Sequence, residues 1–337
     1  MIICRTPLRI SFFGGGSDYK EWVDNEQGIV ISTTIDKYIY ITLRELPKFF
    51  DHNYRIVYSK IESVKNINEI KHHAIKGILK NFNYKSGLEI HYDSDLPAKS
   101  GMGSSSAFVV GLLNALNTLS KKTISKKNLS KNSIFYEQKI LNETVGMQDQ
   151  IACSYGGFNE IKFFQNGRFS VNTIKLGDKK KKIFQNNLFL VYTNISRRAN
   201  DIANTFVKEL NGSKKIHIKK ILEHAVLGKK LLLNGKFDDF GLLLGESWNV
   251  KKKLSPSVSN ELIDNIYNLA LKSGSSGGKL LGAGGGGFFL FYVPPFSKHQ
   301  LISHLTAQGL KINPFRFEQE GLQAWTVRER IESTEIK

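Results

Sequence analysis

Cysteine is nearly absent: two in 337 residues cannot build a framework of bridges, and Cys4 and Cys153 lack metal-ligand spacing. That usage fits a reducing compartment, so the cytoplasm is the expected location. Seven prolines and 29 glycines, beside 41% hydrophobic residues, exclude collagen-like, disulfide-stapled and disordered classes. Long apolar runs are missing as well. The densest, residues 288–293, falls far short of the roughly 20 residues that cross a bilayer. The opening MIICRTPLRI places arginines at positions 5 and 9, which is not the pattern of a signal peptide. Acidic residues are few: 30 Asp+Glu face 48 Lys+Arg, for a formal charge of +18.

That charge admits three readings. Lys, Asn and Ile are over-used throughout, as in KNINEIKHH and KKTISKKNLSKNS, a bias that AT-rich coding produces unaided. A basic field also concentrates anionic small molecules, or nucleic acid. No aromatic-plus-basic recognition motif accompanies the charge, so neither a nucleic-acid partner nor a membrane is expected.

The length suggests about two domains. Residues 28–44, GIVISTTIDKYIYITLR, are β-branched and aromatic and read as a strand pair or one long strand. Residues 88–92 read as a strand, DSDLPAKSGMGSSS as a loop, and 107–119 as a helix with Val109, Leu112, Leu113, Leu116 and Leu119 at helical spacing. Helices are expected over 131–142 and from 146–150 to the paired glycines 156 and 157. The lysine run 179–182 reads as a solvated turn or linker before the strand-like LFLVYT, so the expected domains are 1–183 and 184–337. Helices at 200–210, 215–235 and 257–272 and strands at 287–293 and near Trp325 are expected in the second half.

Three glycine-rich segments stand out: Phe13-Gly-Gly-Gly-Ser-Asp18, Ser100-Gly-Met-Gly-Ser-Ser-Ser106 and Gly282-Ala-Gly-Gly-Gly-Gly287. Glycine lets successive backbone N–H groups converge on a phosphate, and a helix N-terminus adds its unpaired donors and dipole. The middle segment runs directly into a helix and fits best, although its serines could also be a plain N-cap. The P-loop pattern fails around Gly278-Lys279, where Ser273 and Leu280 occupy defining positions. Gly282, Gly284 and Gly287 satisfy G-x-G-x-x-G, but a strand follows and Ala307 stands where a dinucleotide site needs an acid. Glu137 and Asp149 are either surface acids or a pair that shares metal binding and proton abstraction.

Together, Pro7-Leu-Arg-Ile-Ser-Phe-Phe-Gly-Gly-Gly-Ser-Asp18, Leu96-Pro-Ala-Lys-Ser-Gly-Met-Gly-Ser-Ser-Ser-Ala107 and Lys279-Leu-Leu-Gly-Ala-Gly-Gly-Gly-Gly-Phe288 resemble, in order, the three motifs of the GHMP kinase superfamily. The resemblance implies an α+β fold of two domains, the first like ribosomal protein S5 domain 2 and the second ferredoxin-like, with ATP and Mg²⁺ as cofactors. Pro97, Lys99, Gly101, Met102, Gly103, Ser104, Ser105 and Ser106 would line the ATP phosphates. Ser105 and Glu137 would hold Mg²⁺. Asp149 would be the catalytic base, kept ionised by Arg9. Gly15, Gly16, Ser17 and Asp18 would meet the sugar, and Gly284, Gly285 and Gly286 would shape its side of the site. Galactokinase-type members carry Glu-His-Thr-Asp where this chain has Gly15-Gly16-Ser17-Asp18, which argues against galactose.

Motif 1 and motif 2 are most similar to the branch acting on D-glycero-D-manno-heptose 7-phosphate and on fucose. The resemblance implies phosphorylation of the heptose phosphate at its anomeric hydroxyl, giving the 1,7-bisphosphate for nucleotide-activated heptose and surface glycans. A neutral sugar such as fucose is the alternative. Arg197 and Arg198 would bind the 7-phosphate, since an arginine fork suits phosphate. The expected partner is thus a small sugar phosphate; a homodimer is allowed.

Overall fold

The computed structural model describes residues 1–84, 86–196 and 199–327, so Arg197 and Arg198 lie outside the described residues. Its strands are β1 (Ile2–Phe13), β2 (Gly28–Glu45), β3 (Tyr54–Val57), β4 (Ile61–Val64), β5 (Leu88–Ser94), β6 (Phe158–Phe164) and β7 (Arg168–Thr173). After these come β8 (Leu188–Tyr192), β9 (Gly277–Leu280), β10 (Phe288–Tyr292), β11 (Lys311–Asn313), β12 (Phe317–Glu318) and β13 (Gln323–Thr326). The helices of the first half are α1 (Lys20–Val23), α2 (His73–Phe82), α3 (Ser104–Leu119), α4 (Lys126–Phe135), α5 (Gln148–Tyr155) and α6 (Asp178–Asn186). Those of the second are α7 (Ala199–Ala203), α8 (Lys215–Asn234), α9 (Phe237–Lys252), α10 (Glu261–Lys272) and α11 (Lys298–Ala307).

The β-branched stretch from Gly28 forms one long strand, and its length lets it serve two neighbours. Its first half pairs with β6 (Gly28 to Thr33 against Phe163 to Phe158) and its second with β5 (Ile39 to Glu45 against Ser94 to Leu88). β1 runs antiparallel to it, with irregularities at Pro7/Leu8 and Ser11/Phe13 that bracket Arg9; such bulges re-aim side chains. α3 packs across this sheet, so close that a Cβ on Gly111 would lie 2.8 Å from Thr6 Oγ1.

The second sheet runs β11-β8-β10-β9, all antiparallel. Numbered within the unit this is 4-1-3-2, the ferredoxin-like order that the sequence implied. The segment 184–337 does not stay in this unit, because β12 pairs with β2 and β13 with β1. The core is continuous as well. Phe12 stacks on Phe158 at 5.2 Å between ring centres and meets Phe240 at 5.5 Å, while Phe184 meets Phe317 at 6.0 Å.

Several expected elements differ. The lysines 179–182 lie inside α6, whose Phe184 is buried while its charged residues face solvent; an amphipathic helix, not a linker, explains the run. α9 and α11 were not legible as helices. In α9, Gly241 and Gly245 look like breakers but are contact points: a Cβ on Gly241 would stand 2.5 Å from the Tyr292 ring. The expected helix at 131–142 is α4 running into a π-helical turn, Tyr136–Ile140. The stretch 200–210 breaks into α7 and a 3-10 turn at Val207–Glu209.

Candidate active site

The loop after β5 enters α3 through left-handed backbone at Lys99 (φ 59°), Gly101 (φ 78°) and Gly103 (φ 74°). Gly103 is the N-cap and offers no side chain, so the first amides of α3 keep no capping partner. Ser105 is exposed at this end, Pro97 and Lys99 are exposed along the loop, and Met102 is wholly buried as its anchor. An anion here would meet free N–H donors and the positive end of a 16-residue helix. The loop therefore fits the phosphates of a nucleotide.

Arg9 lies beneath the loop. Its Nε and Nη2 each donate to Asp149 at 2.7 Å, a two-pronged pair, and its Nη1 donates to the Gly101 carbonyl at 2.8 Å. Burial opposes the Arg9 charge, but Asp149 more than offsets it and holds its pKa above the ordinary value. The arginine side chain is 4% exposed and the aspartate 23%, so the carboxylate keeps an open side. A Cβ on Gly103 would be 3.3 Å from Asp149 Oδ2, which sets this carboxylate against the phosphate loop.

Asp18 is buried beside this pair. It accepts from Gly16 N at 3.0 Å, Gln148 N at 3.2 Å and Gln148 Nε2 at 3.0 Å. Burial, then the nearby Asp149 charge, pushes its carboxyl up. Gln148 was not singled out in the sequence, although it immediately precedes Asp149; it ties the first motif to α5. Gly15 borders the same space, where an added Cβ would lie 3.5 Å from Gln148 Nε2 and 3.7 Å from Ser11 Oγ.

Two expectations need correction. Ser17 was expected to face the sugar, but it is wholly buried, donates to Gly14 O at 2.8 Å and accepts from Ile29 N at 3.1 Å, closing the turn. Ser105 was expected beside Glu137. Ser106 takes that place instead, donating to Glu137 Oε1 at 3.0 Å, because successive helical residues point about 100° apart. Gly284, Gly285 and Gly286 are buried against Val258 and Ile195, with Gly285 N donating to Val258 O at 2.8 Å.

Glu137 sits on the π turn that follows α4. Such turns insert a residue and swing side chains out of helical phase, and here the carboxyl ends wholly buried. Its second oxygen accepts from Gln150 Nε2. Burial, then the Glu143 charge, pushes it up to about 8. A carboxylate with a serine hydroxyl is an oxygen donor set of the kind Mg²⁺ takes when phosphates and water supply the rest. No group of three or more His, Cys, Asp or Glu that could hold a metal ion occurs among the described residues.

A phosphate loop opening a helix, with an Arg–Asp pair against it and a ferredoxin-like sheet in the second half, is the arrangement expected of a small-molecule kinase. The GHMP kinases N terminal domain matches residues 68–157 and the GHMP kinases C terminal domain residues 229–309. The chain belongs to the GHMP kinase family and is an ATP-dependent sugar kinase. It is 34% identical over 333 residues, 96% of this chain and 98% of the other, to D-glycero-alpha-D-manno-heptose 7-phosphate kinase of Campylobacter jejuni. It is 27% identical to the bifunctional fucokinase/GDP-fucose pyrophosphorylase of Arabidopsis thaliana, matching 84% of this chain but 29% of that larger protein. Among solved structures it is similar to a D-glycero-D-manno-heptose 1-phosphate kinase from Bacteroides thetaiotaomicron, with TM-score 0.79, 25% identity, and coverage of 98% of this chain and 100% of that one. No helix among the described residues is long and apolar enough to cross a membrane.

Proposed function

We propose that this chain transfers the γ-phosphoryl group of ATP to the anomeric hydroxyl of D-glycero-D-manno-heptose 7-phosphate, giving the 1,7-bisphosphate on a route to nucleotide-activated heptose and surface glycans. The observation that carries the reaction type is the Arg9–Asp149 pair against Gly103, with Asp18 beside it. The 34% identity to the Campylobacter kinase supports the heptose phosphate as substrate.

In this reading Gly101 to Ser106 bind the triphosphate through backbone N–H groups and serine hydroxyls. Asp149 takes the proton of the attacking hydroxyl on its open side, and Arg9 orients it through two hydrogen bonds. Asp18, fixed by Gly16 and Gln148, accepts a hydrogen bond from a neighbouring sugar hydroxyl. Glu137 with a motif 2 serine would hold Mg²⁺, which when bound neutralises phosphate charge. Arg197 and Arg198 are assigned to the 7-phosphate from the sequence alone.

The test is ADP release with Mg·ATP on heptose 7-phosphate, heptose 1-phosphate, mannose 6-phosphate, fucose and galactose, with products mapped by NMR. A strong preference for the 7-phosphate, with a new phosphate at C1, is expected. Preference for fucose moves the chain to the fucokinase branch. Preference for the 1-phosphate reverses the assigned acceptor.

A further inference from the structure

Two lysines that the proposed chemistry does not use lie next to the phosphate loop, Lys279 buried and Lys251 half-buried. Lys251, in the last turn of α9, donates from Nζ to Leu280 O at 2.8 Å and to Gly282 O at 2.6 Å. Lys279, on β9, donates from Nζ to Phe12 O at 2.8 Å, at the edge of the first glycine motif. Neither ammonium has a carboxylate partner among the described residues. Burial pushes both pKa values down, Lys279 to about 7, and the Arg9 charge adds to this for both. An anion held at the phosphate loop would favour the charged form of each.

The carbonyls that Lys251 holds belong to the turn that presses on the phosphate loop. A Cβ on Gly101 would come 2.6 Å from Leu281 O, and one on Gly282 would come 2.6 Å from Gly101 Cα. Across the same turn Leu281 N donates to Phe288 O at 2.9 Å and Phe288 N to Ser100 O at 3.1 Å. Residues 280–288 are therefore a template on which 100–101 rests, and Lys251 bridges the first and third residues of that turn.

We propose that Lys251 is a positioning residue for ATP: it fixes the 280–282 carbonyls so that the glycine turn seats Gly101, and it brings a half-buried ammonium beneath the phosphate loop. This rests on reading residues 97–106 as the triphosphate site. Lys251→Met removes both the clamp and the charge. Binding of a fluorescent ATP analogue, measured without sugar, is expected to weaken about tenfold, the scale of a lost charged hydrogen bond. The KM for the sugar and the Tm should stay near wild type. Lys251→Arg, which keeps charge and donors, should recover most of the affinity. Lys253→Met, at an exposed position on the same helix end, should change nothing.

ATP affinity within about twofold of wild type in Lys251→Met overturns the proposal, as does a rise in the sugar KM that parallels the loss of ATP affinity and comes with a fall in Tm. Should the Met variant not fold, Lys251→Gln retains a donor without charge, and wild-type ATP affinity in it overturns the proposal equally. Gly101→Ala separates the two readings. If it binds ATP normally, the assignment of the loop fails; if it loses ATP while Lys251→Met does not, only the role of Lys251 fails.

Discussion

Asp149 and Arg9 stand 140 positions apart in the chain, yet meet through two 2.7 Å hydrogen bonds. Asp149→Asn removes the proton acceptor and leaves a buried guanidinium without its counter-charge. The expected result is a kcat lower by about 10²-fold or more, with a stability loss of about 3 kcal/mol from the broken pair. Turnover and melting both near wild type would remove the assigned role. Glu137 carries the opposite kind of strain. Its carboxyl titrates at about 8 in the fold, against about 4.3 in an unfolded chain. Between these values the folded state retains a proton that the unfolded state has lost, so stability falls as pH rises through that window. Glu137→Gln cannot ionise, so without metal its Tm should rise relative to wild type between about pH 5 and pH 8. A Tm difference that does not change with pH would show that the buried carboxyl is not charged against a penalty.

At the scale of elements, glycines placed inside helices set how closely helices approach sheets. α8 crosses β1 at Gly228, where a Cβ would lie 2.4 Å from the Phe13 ring. Alanine is the better helix former by about 1 kcal/mol, but overpacking a full core costs about 1–3 kcal/mol and Phe13 is wholly buried. The clash should win, so Gly228→Ala is expected to lower the urea midpoint; a higher midpoint would mean that α8 shifts freely. The same logic explains what the sequence could and could not disclose. The loop from Gly101 to Ser106 was legible because a phosphate loop needs glycines and serines in one short segment opening a helix, while Arg9, Asp18 and the role of Asp149 came from the likeness of their motifs to the family. Gln148 on Asp18 and Lys251 on the glycine turn were not, since those contacts bridge 130 and about 30 positions and depend on how elements pack. The exchange of Ser105 for Ser106 beside Glu137 turns on helical phase at one residue, which a motif does not encode. Of the two helices missed, α9 was hidden by Gly241 and Gly245, which serve packing.

At the scale of the molecule, a boundary near residue 183 divides the ferredoxin-like sheet from the strands before it, but not the cooperative unit. β12 and β13 return from the second half to β2 and β1, covering the outer edge of β1 from Ile2 to Arg5. Phe184, Phe240 and Phe317, all beyond 183, pack with Phe12 and Phe158 in one aromatic cluster. Lys251 and the turn 280–288 complete the seat of the phosphate loop from the far side. A fragment of residues 1–183 would leave β1 with an open edge and Phe12 without two of its ring neighbours, Phe184 and Phe240, each worth about 0.5–1.5 kcal/mol beyond its buried area. The fragment is therefore expected to be unfolded or aggregated, with no dispersed aromatic NMR signals. The intact chain should melt in a single calorimetric transition whose van't Hoff and calorimetric enthalpies agree. Two transitions, or a fragment that folds and binds the ATP analogue, would show that the halves are separate domains and that the seat supplied by the second is dispensable.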